Sequence, residues 1–478
     1  MDQEIGFGDP LAWIRLDEAL RREPYAPAGL AEPQLAVALC HRDGRIREAA
    51  LQQAVGYRAL LPLVVVRCAD WVGQVRERAR ELLREAVDTD TAVALAPLVL
   101  LFGRRGRGAF AIELVGGVLR SASPEQFDPL FVHPDRAVRR FAHRLAVEEG
   151  LLSPAQLARA AARDADTVVQ NLCAEAALAA VAKTGGYDEV LEPLLGARNP
   201  RARASGVTAL RAAGQVERAE KFLGDRSGVV RACARYVVRQ GGGDPLALYR
   251  AWCLAADPVP GAVSGLAECG ERGDAALLWR LVSHANASVR ARALGGLRVL
   301  DVVDVRRMLP LLDDPAPGVV REATLALLPS AGLVPDGPLM ERLVGGWPKR
   351  WPRHVRVGAF RLLDARGGIV RLRAAVTVLD DPDERLRVWG AQVVQRWHPE
   401  EGMTPGDAEV GELLGRARHL FSDYVLTRRL WEAGLPGWPA GPSSSDSHPS
   451  RGAFAPPRAD RDRFMGKGGC TLGGGTSA

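Results

Sequence analysis

Residues 312–327 read LDDPAPGVVREATLAL, and the phrase returns along the chain as LGDRSGVVRACARYVV at 223–238 and LDDPDERLRVWGAQVV at 379–394. Each copy runs from a carboxylate-rich turn into an apolar residue, an arginine and a helical apolar pattern. Aligned on that arginine, the copies fall at Arg47, Arg76, Arg139, Arg203, Arg231, Arg290, Arg321, Arg356 and Arg387, with Gln170 standing in once. Neighbouring steps are 29, 31, 33, 28, 31, 35 and 31 residues. The two wider gaps hold degenerate copies around 103–117 and 256–270, so about twelve units run from roughly residue 30 to 400.

Counted from the apolar residue before the arginine, the fourth position on is always small: Ala50, Ala79, Ala142, Cys173, Gly206, Ala234, Ala293, Thr324, Ala359 and Gly390. The seventh and eighth are apolar in most copies, as in Leu82–Leu83, Val237–Val238 and Leu362–Leu363. Offsets of four, seven and eight share one helix face, and a small residue amid that face lets a second helix come close. An Asp or Asn lies four residues before the arginine in some copies (Asp43, Asp135, Asn199, Asn286) and six or seven before it in others (Asp70, Asp225, Asp314, Asp381). Read as helix caps, they give each unit the form helix, turn, helix. One such hairpin cannot bury both its faces, so neighbours must stack. The predicted fold is all-α, an α-solenoid of about twelve helical hairpins.

The motif Asp-Pro…Val-Arg…Ala, carried by Asp314-Pro315…Val320-Arg321…Thr324 and Asp381-Pro382…Leu386-Arg387…Gly390, resembles the HEAT repeat. The short form of about 30 residues is similar to the phycobilisome-lyase-type group. The resemblance implies that turn aspartates and helix arginines form a ladder of ion pairs between adjacent repeats. It makes the nine arginines architectural and places a break at Gln170.

Around the array, 1–30 is expected to hold an N-terminal capping helix, 31–400 the solenoid and 401–435 C-terminal capping helices. From 436 to 478, 21 of 43 residues are Gly, Pro or Ser, a composition that cannot offset its ordering entropy and reads as a disordered tail.

The remaining features bound function. The formal charge is +6 over 478 residues, with only four lysines, mild for a dedicated nucleic-acid binder. The seven cysteines are scattered with no CxxC, the first residues lack an apolar leader and no apolar run could span a bilayer. A cytoplasmic protein with no membrane partner is expected. The eight histidines form no HxxxH or His-Glu pair, unlike deoxyhypusine hydroxylases, a HEAT-type enzyme family that holds iron with such motifs. Phosphate loops and GxSxG elbows are also missing. The sequence therefore implies no catalytic residues, no cofactor and no metal.

One stretch departs from the pattern. From Lys349 to Arg373 eight basic residues face one acid, Asp364, beside Trp347 and Trp351. Trp347, Lys349, Arg350, Trp351, Arg353 and Arg361 are the candidate partner-binding residues, since basic and aromatic side chains suit phosphate contact, base stacking or an acidic protein. The leading expectation is a non-enzymatic scaffold that takes a protein or peptide partner in its groove. The alternatives are nucleic-acid binding, resembling the DNA-alkylation-repeat proteins, and an accessory role to a lyase-type enzyme. Oligomeric state is open.

Overall fold

The computed structural model describes residues 9–23, 32–103, 107–344 and 351–436. Among them every regular element is helical. The tail from 437 onward, together with Trp347, Lys349 and Arg350, lies outside the described residues.

Contacts divide the chain into two units, one ending at Arg366 and one beginning at Gly367. Gly367 and Gly368 both have positive φ, 75° and 53°, a conformation that side chains with a Cβ disfavour. In the first unit the repeated arginines sit on Gly44–Gln53, Gly73–Ala86, Arg136–Glu148, Pro200–Ala212, Gly228–Gln240, Ala287–Val299, Pro317–Leu327 and Arg353–Arg366, with Gln170 on Thr167–Thr184. Each is named below by its arginine or glutamine. The partner helix of each hairpin is shorter, and several are 3-10 turns, such as Val216–Gly224 and Leu309–Asp313.

The local chemistry explains the boundaries. Asp43, Asp135, Asn199 and Asn286 are N-caps, each accepting from the backbone N–H two residues on at 2.8–3.0 Å. From there the apolar stripe is buried, as with Val207 and Leu210 of the Arg203 helix. The small position marks contact with the hairpin partner. A Cβ on Gly206 would lie 2.9 Å from Cβ of Leu194 and 3.3 Å from the Leu195 side chain. The helix Pro10–Arg22 buries Trp13, Ile14, Leu16 and Leu20 against the first repeats.

The second unit contains Gly368–Thr377, the Arg387 helix Glu384–Arg396, and the two helices Ala408–Arg416 and Asp423–Glu432. The buried Trp397 ties it together by donating from Nε1 to the Gly368 carbonyl at 2.8 Å. Among the described residues, no helix is long and apolar enough to cross a membrane.

Candidate functional site

The repeated arginine follows one rule. Its Nη1 donates to the carbonyl six residues back, in the turn that opens its own helix: Arg47 to His41 at 2.7 Å, Arg76 to Asp70 at 2.9 Å, Arg139 to His133 at 2.7 Å, Arg203 to Ala197 at 2.7 Å, Arg231 to Asp225 at 2.6 Å, Arg290 to His284 at 2.8 Å and Arg387 to Asp381 at 2.8 Å. Arg356 reaches the Trp351 carbonyl, five back, at 2.6 Å.

Four arginines also grip the carboxylate of the following turn with two nitrogens. Arg47 holds Asp70, Arg139 holds Asp164, Arg203 holds Asp225 and Arg290 holds Asp314, at 2.8–3.3 Å. Burial would raise the Asp225 carboxyl, but Arg203 and the Ser227 N–H hold it below the usual carboxylate range. Two-pronged guanidinium–carboxylate bonds are strong and directional, so each clasp locks two repeats.

The clasps do not form a continuous ladder. Asp70, Asp225 and Asp314 are not the N-caps the sequence suggests. Val72, Ser227 and Ala316 hold that place, and each aspartate accepts from their N–H while it meets the preceding arginine. In three other turns a histidine ring takes over the first of these bonds. His41, His133 and His284 each accept at Nδ1 from the N–H two residues on, at 3.0 Å.

Two positions differ from the sequence reading. Gln170 loses the charge but keeps the bonding, since its amide donates to the Asp164 carbonyl and accepts from Asn199. Arg321, in the phrase that defines the repeat, lies outside the rule. Seven residues separate it from Asp314 instead of six, so Val320 takes the buried place and the Arg321 side chain, 66% exposed, pairs among the described residues with Glu322 alone, at 2.8 Å. Arg231 finds its carboxylate in the degenerate repeat, at Glu268.

The basic stretch is partly neutralised. Arg366 pairs with Asp336 at 2.7 Å in the first unit, and Arg371 with Glu400 at 3.3 Å and Arg373 with Glu409 at 2.5 Å in the second. Trp351 is half-buried beneath the Arg342 guanidinium, 5.5 Å from its ring centroid. Arg353 and Arg361 are both engaged in contacts.

An open cavity lies elsewhere, across the Gln170, Arg203 and Arg231 helices. It has a volume of about 850 Å³. Leu178, Ala182, Ala204, Ala209 and Ala212 make its floor, Tyr187 and Tyr236 its walls. Arg211 leans on Tyr236, donating to its hydroxyl at 2.8 Å with Cζ 5.9 Å from the ring centroid. Sequence reasoning missed these residues because they are split over three helices, six on the Arg203 helix and two on each of the others, and alanine carries no chemical signature. A signal was nonetheless present: the Arg203 and Arg231 helices together hold six arginines and no acid.

No protein-family model matches the chain, and no curated protein is similar to it. Solved structures align loosely. A chain from a study of tubulin recruitment and assembly by microtubule polymerases with TOG domain arrays is 11% identical, covering 83% of this chain and 98% of that one at a TM-score of 0.25. Kap121p bound to Nup53p is 12% identical, with 87% of this chain aligned to about half of that one (52%) at a TM-score of 0.31. An engineered protein reaches 17% identity, 85% and 98% coverage, and a TM-score of 0.17. The class is set by the chain's own helices: an all-α solenoid of HEAT-like hairpins.

Proposed function

We propose that this chain is a non-enzymatic cytoplasmic scaffold that binds a protein or peptide partner in the groove over the Gln170, Arg203 and Arg231 helices. The observation that carries this reading is the apolar floor. Ala182 and Ala212 face solvent in a concave trough walled by two tyrosines, of which Tyr236 is 43% exposed. Concave apolar surface with a few polar groups at its edge is what a binding site requires. The groups that could act as nucleophiles there, Ser205, Thr208 and Cys233, have no histidine or carboxylate among the described lining residues to activate them. That favours binding over catalysis.

A nucleic-acid reading rests on the 349–373 charge, part of which Arg366, Arg371 and Arg373 spend on ion pairs. A photo-crosslinking amino acid at Tyr236, compared with one at the exposed Leu254, tests the groove. A protein captured from position 236 and not from 254 supports it. Equal capture at both, or capture of nucleic acid alone, sinks it.

A further inference from the structure

Resting on that groove as the docking site, we infer that its partner is an acidic amphipathic α-helix, with apolar anchors on the alanine floor and carboxylates on Arg211 and Arg239.

Charge is the first argument. The Arg203 and Arg231 helices carry Arg201, Arg203, Arg211, Arg231, Arg235 and Arg239 and not one Asp or Glu. Arg203 is spent on Asp225, and Arg231 and Arg235 on Glu268. Arg201, Arg211 and Arg239 are left with no carboxylate among the described residues, and all three are exposed. Lys183 stands beside Ala182 on the third helix, also exposed. The acids flanking the lining in sequence are Glu175, one turn before Leu178, and Asp188 and Glu189, just after Tyr187 at the far wall; Asp188 accepts from Gln215 at 2.7 Å. The wall made by the Arg203 and Arg231 helices is therefore cationic, and an anionic partner gains there what a cationic one would lose.

Spacing is the second. Arg211 and Arg239 each lie eight residues after the repeated arginine, so they occupy the same register one repeat apart. Packed helices lie about 8–10 Å apart, and residues one heptad apart on an α-helix are separated by roughly 10 Å along its axis. A helix lying across the repeats can thus offer carboxylates at i and i+7, with apolar residues at i+3 and i+4 turned to the floor. The floor suits that shape. Its alanines are short enough to admit a helix backbone, while Tyr187 and Tyr236 supply flat walls for leucine-sized anchors. Arg211 is also held in place: its bond to the Tyr236 hydroxyl fixes one nitrogen and leaves its other donors for a carboxylate.

The test uses the full chain and two labelled model peptides of about 18 residues. Both carry the same leucine face, one with glutamates at i and i+7 and one with lysines there. Fluorescence anisotropy is read at about 50 mM and about 300 mM salt. The expected result is binding of the glutamate peptide only, weakened about tenfold or more by the Arg211→Glu/Arg239→Glu pair and by the higher salt. Ala209→Glu, which blocks the floor, should remove binding of the same peptide, and circular dichroism checks that each variant is folded. Equal binding of the lysine peptide, or affinity unchanged by the double reversal, overturns the inference. So does a DNA duplex that displaces the glutamate peptide and binds Arg211 and Arg239 more tightly. The two readings fail separately: capture of a protein from position 236 with no glutamate-peptide binding leaves the docking groove standing and removes the acidic helix.

Discussion

Arg47 and Asp70 face each other in full burial, both side chains 0% exposed, joined by bonds of 2.8 and 3.0 Å. Asp70 also accepts from Arg67 at 3.3 Å and from the Val72 N–H at 3.0 Å, while Arg67 contacts Asp17 of the N-terminal helix at 2.5 Å. Asp70 thus bridges two buried guanidiniums from neighbouring repeats, and Asp17 supplies the second negative charge. Asp70→Ala would strand the Arg47 charge and leave Arg67 with Asp17 alone, and breaking a buried pair costs about 3–5 kcal/mol. The expected outcome is a large drop in the urea midpoint of the transition reporting the N-terminal repeats, followed by tryptophan fluorescence. A midpoint within error of the parent would refute the assignment.

The same chemistry at Arg321 predicts the opposite. Arg321→Ala removes an exposed pair with Glu322 and should change stability by no more than about 0.5 kcal/mol. Arg290→Ala takes away two carbonyl bonds and a two-pronged hold on Asp314, and should cost several times more. Parallel urea titrations decide it, and equal losses would show that the extra turn residue does not matter.

That contrast shows what a single sequence can disclose. The period, the small position and the apolar stripe were legible because every hairpin must bury the same face. Which arginine finds an acid was not, since it depends on two distances the motif does not state. The arginine must lie six residues from its turn, and a carboxylate must come within reach, 22–25 residues later at Asp70, Asp164, Asp225 and Asp314 and, across the degenerate repeat, 37 later at Glu268. Residues 343–346 after Arg321 read LVGG and offer none. The groove was hidden for another reason. Leu178, Ala204 and Tyr236 are distant along the chain, and only the stacking of their helices makes them one surface.

Two glycines test the small position. Helical Gly→Ala ordinarily gains up to about 1 kcal/mol. At Gly117 a new Cβ meets nothing within 4 Å, so Gly117→Ala should be stabilising. At Gly390 it would come within 2.4 Å of Val378 Cγ2 and 2.8 Å of the Ala375 carbonyl oxygen. A backbone oxygen cannot yield as a side chain can, so overpacking of about 1–3 kcal/mol outweighs the propensity gain. Gly390→Ala should lower the thermal midpoint where Gly117→Ala raises it. Shifts of the same sign would contradict the packing.

His143 supplies a pH test. Its ring is buried against Phe131, centroids 4.7 Å apart, and Nδ1 donates to the Arg139 carbonyl at 2.9 Å. Burial pulls its pKa below the ordinary value, against smaller upward pulls from the Arg139 carbonyl and Asp164. The unfolded chain therefore takes up a proton at a pH where the folded chain does not. By linkage, stability is fully present above about pH 6.5 and falls as the pH drops below it. The carboxylates of Asp225 and Glu268, held low by their arginines against burial, add a second loss only below about pH 4. Urea midpoints near pH 7.5 and pH 5.5 should thus differ in the parent, and His143→Leu, which keeps the site apolar, should flatten that difference while leaving the acid loss in place. An undiminished slope in His143→Leu would assign the effect to another group.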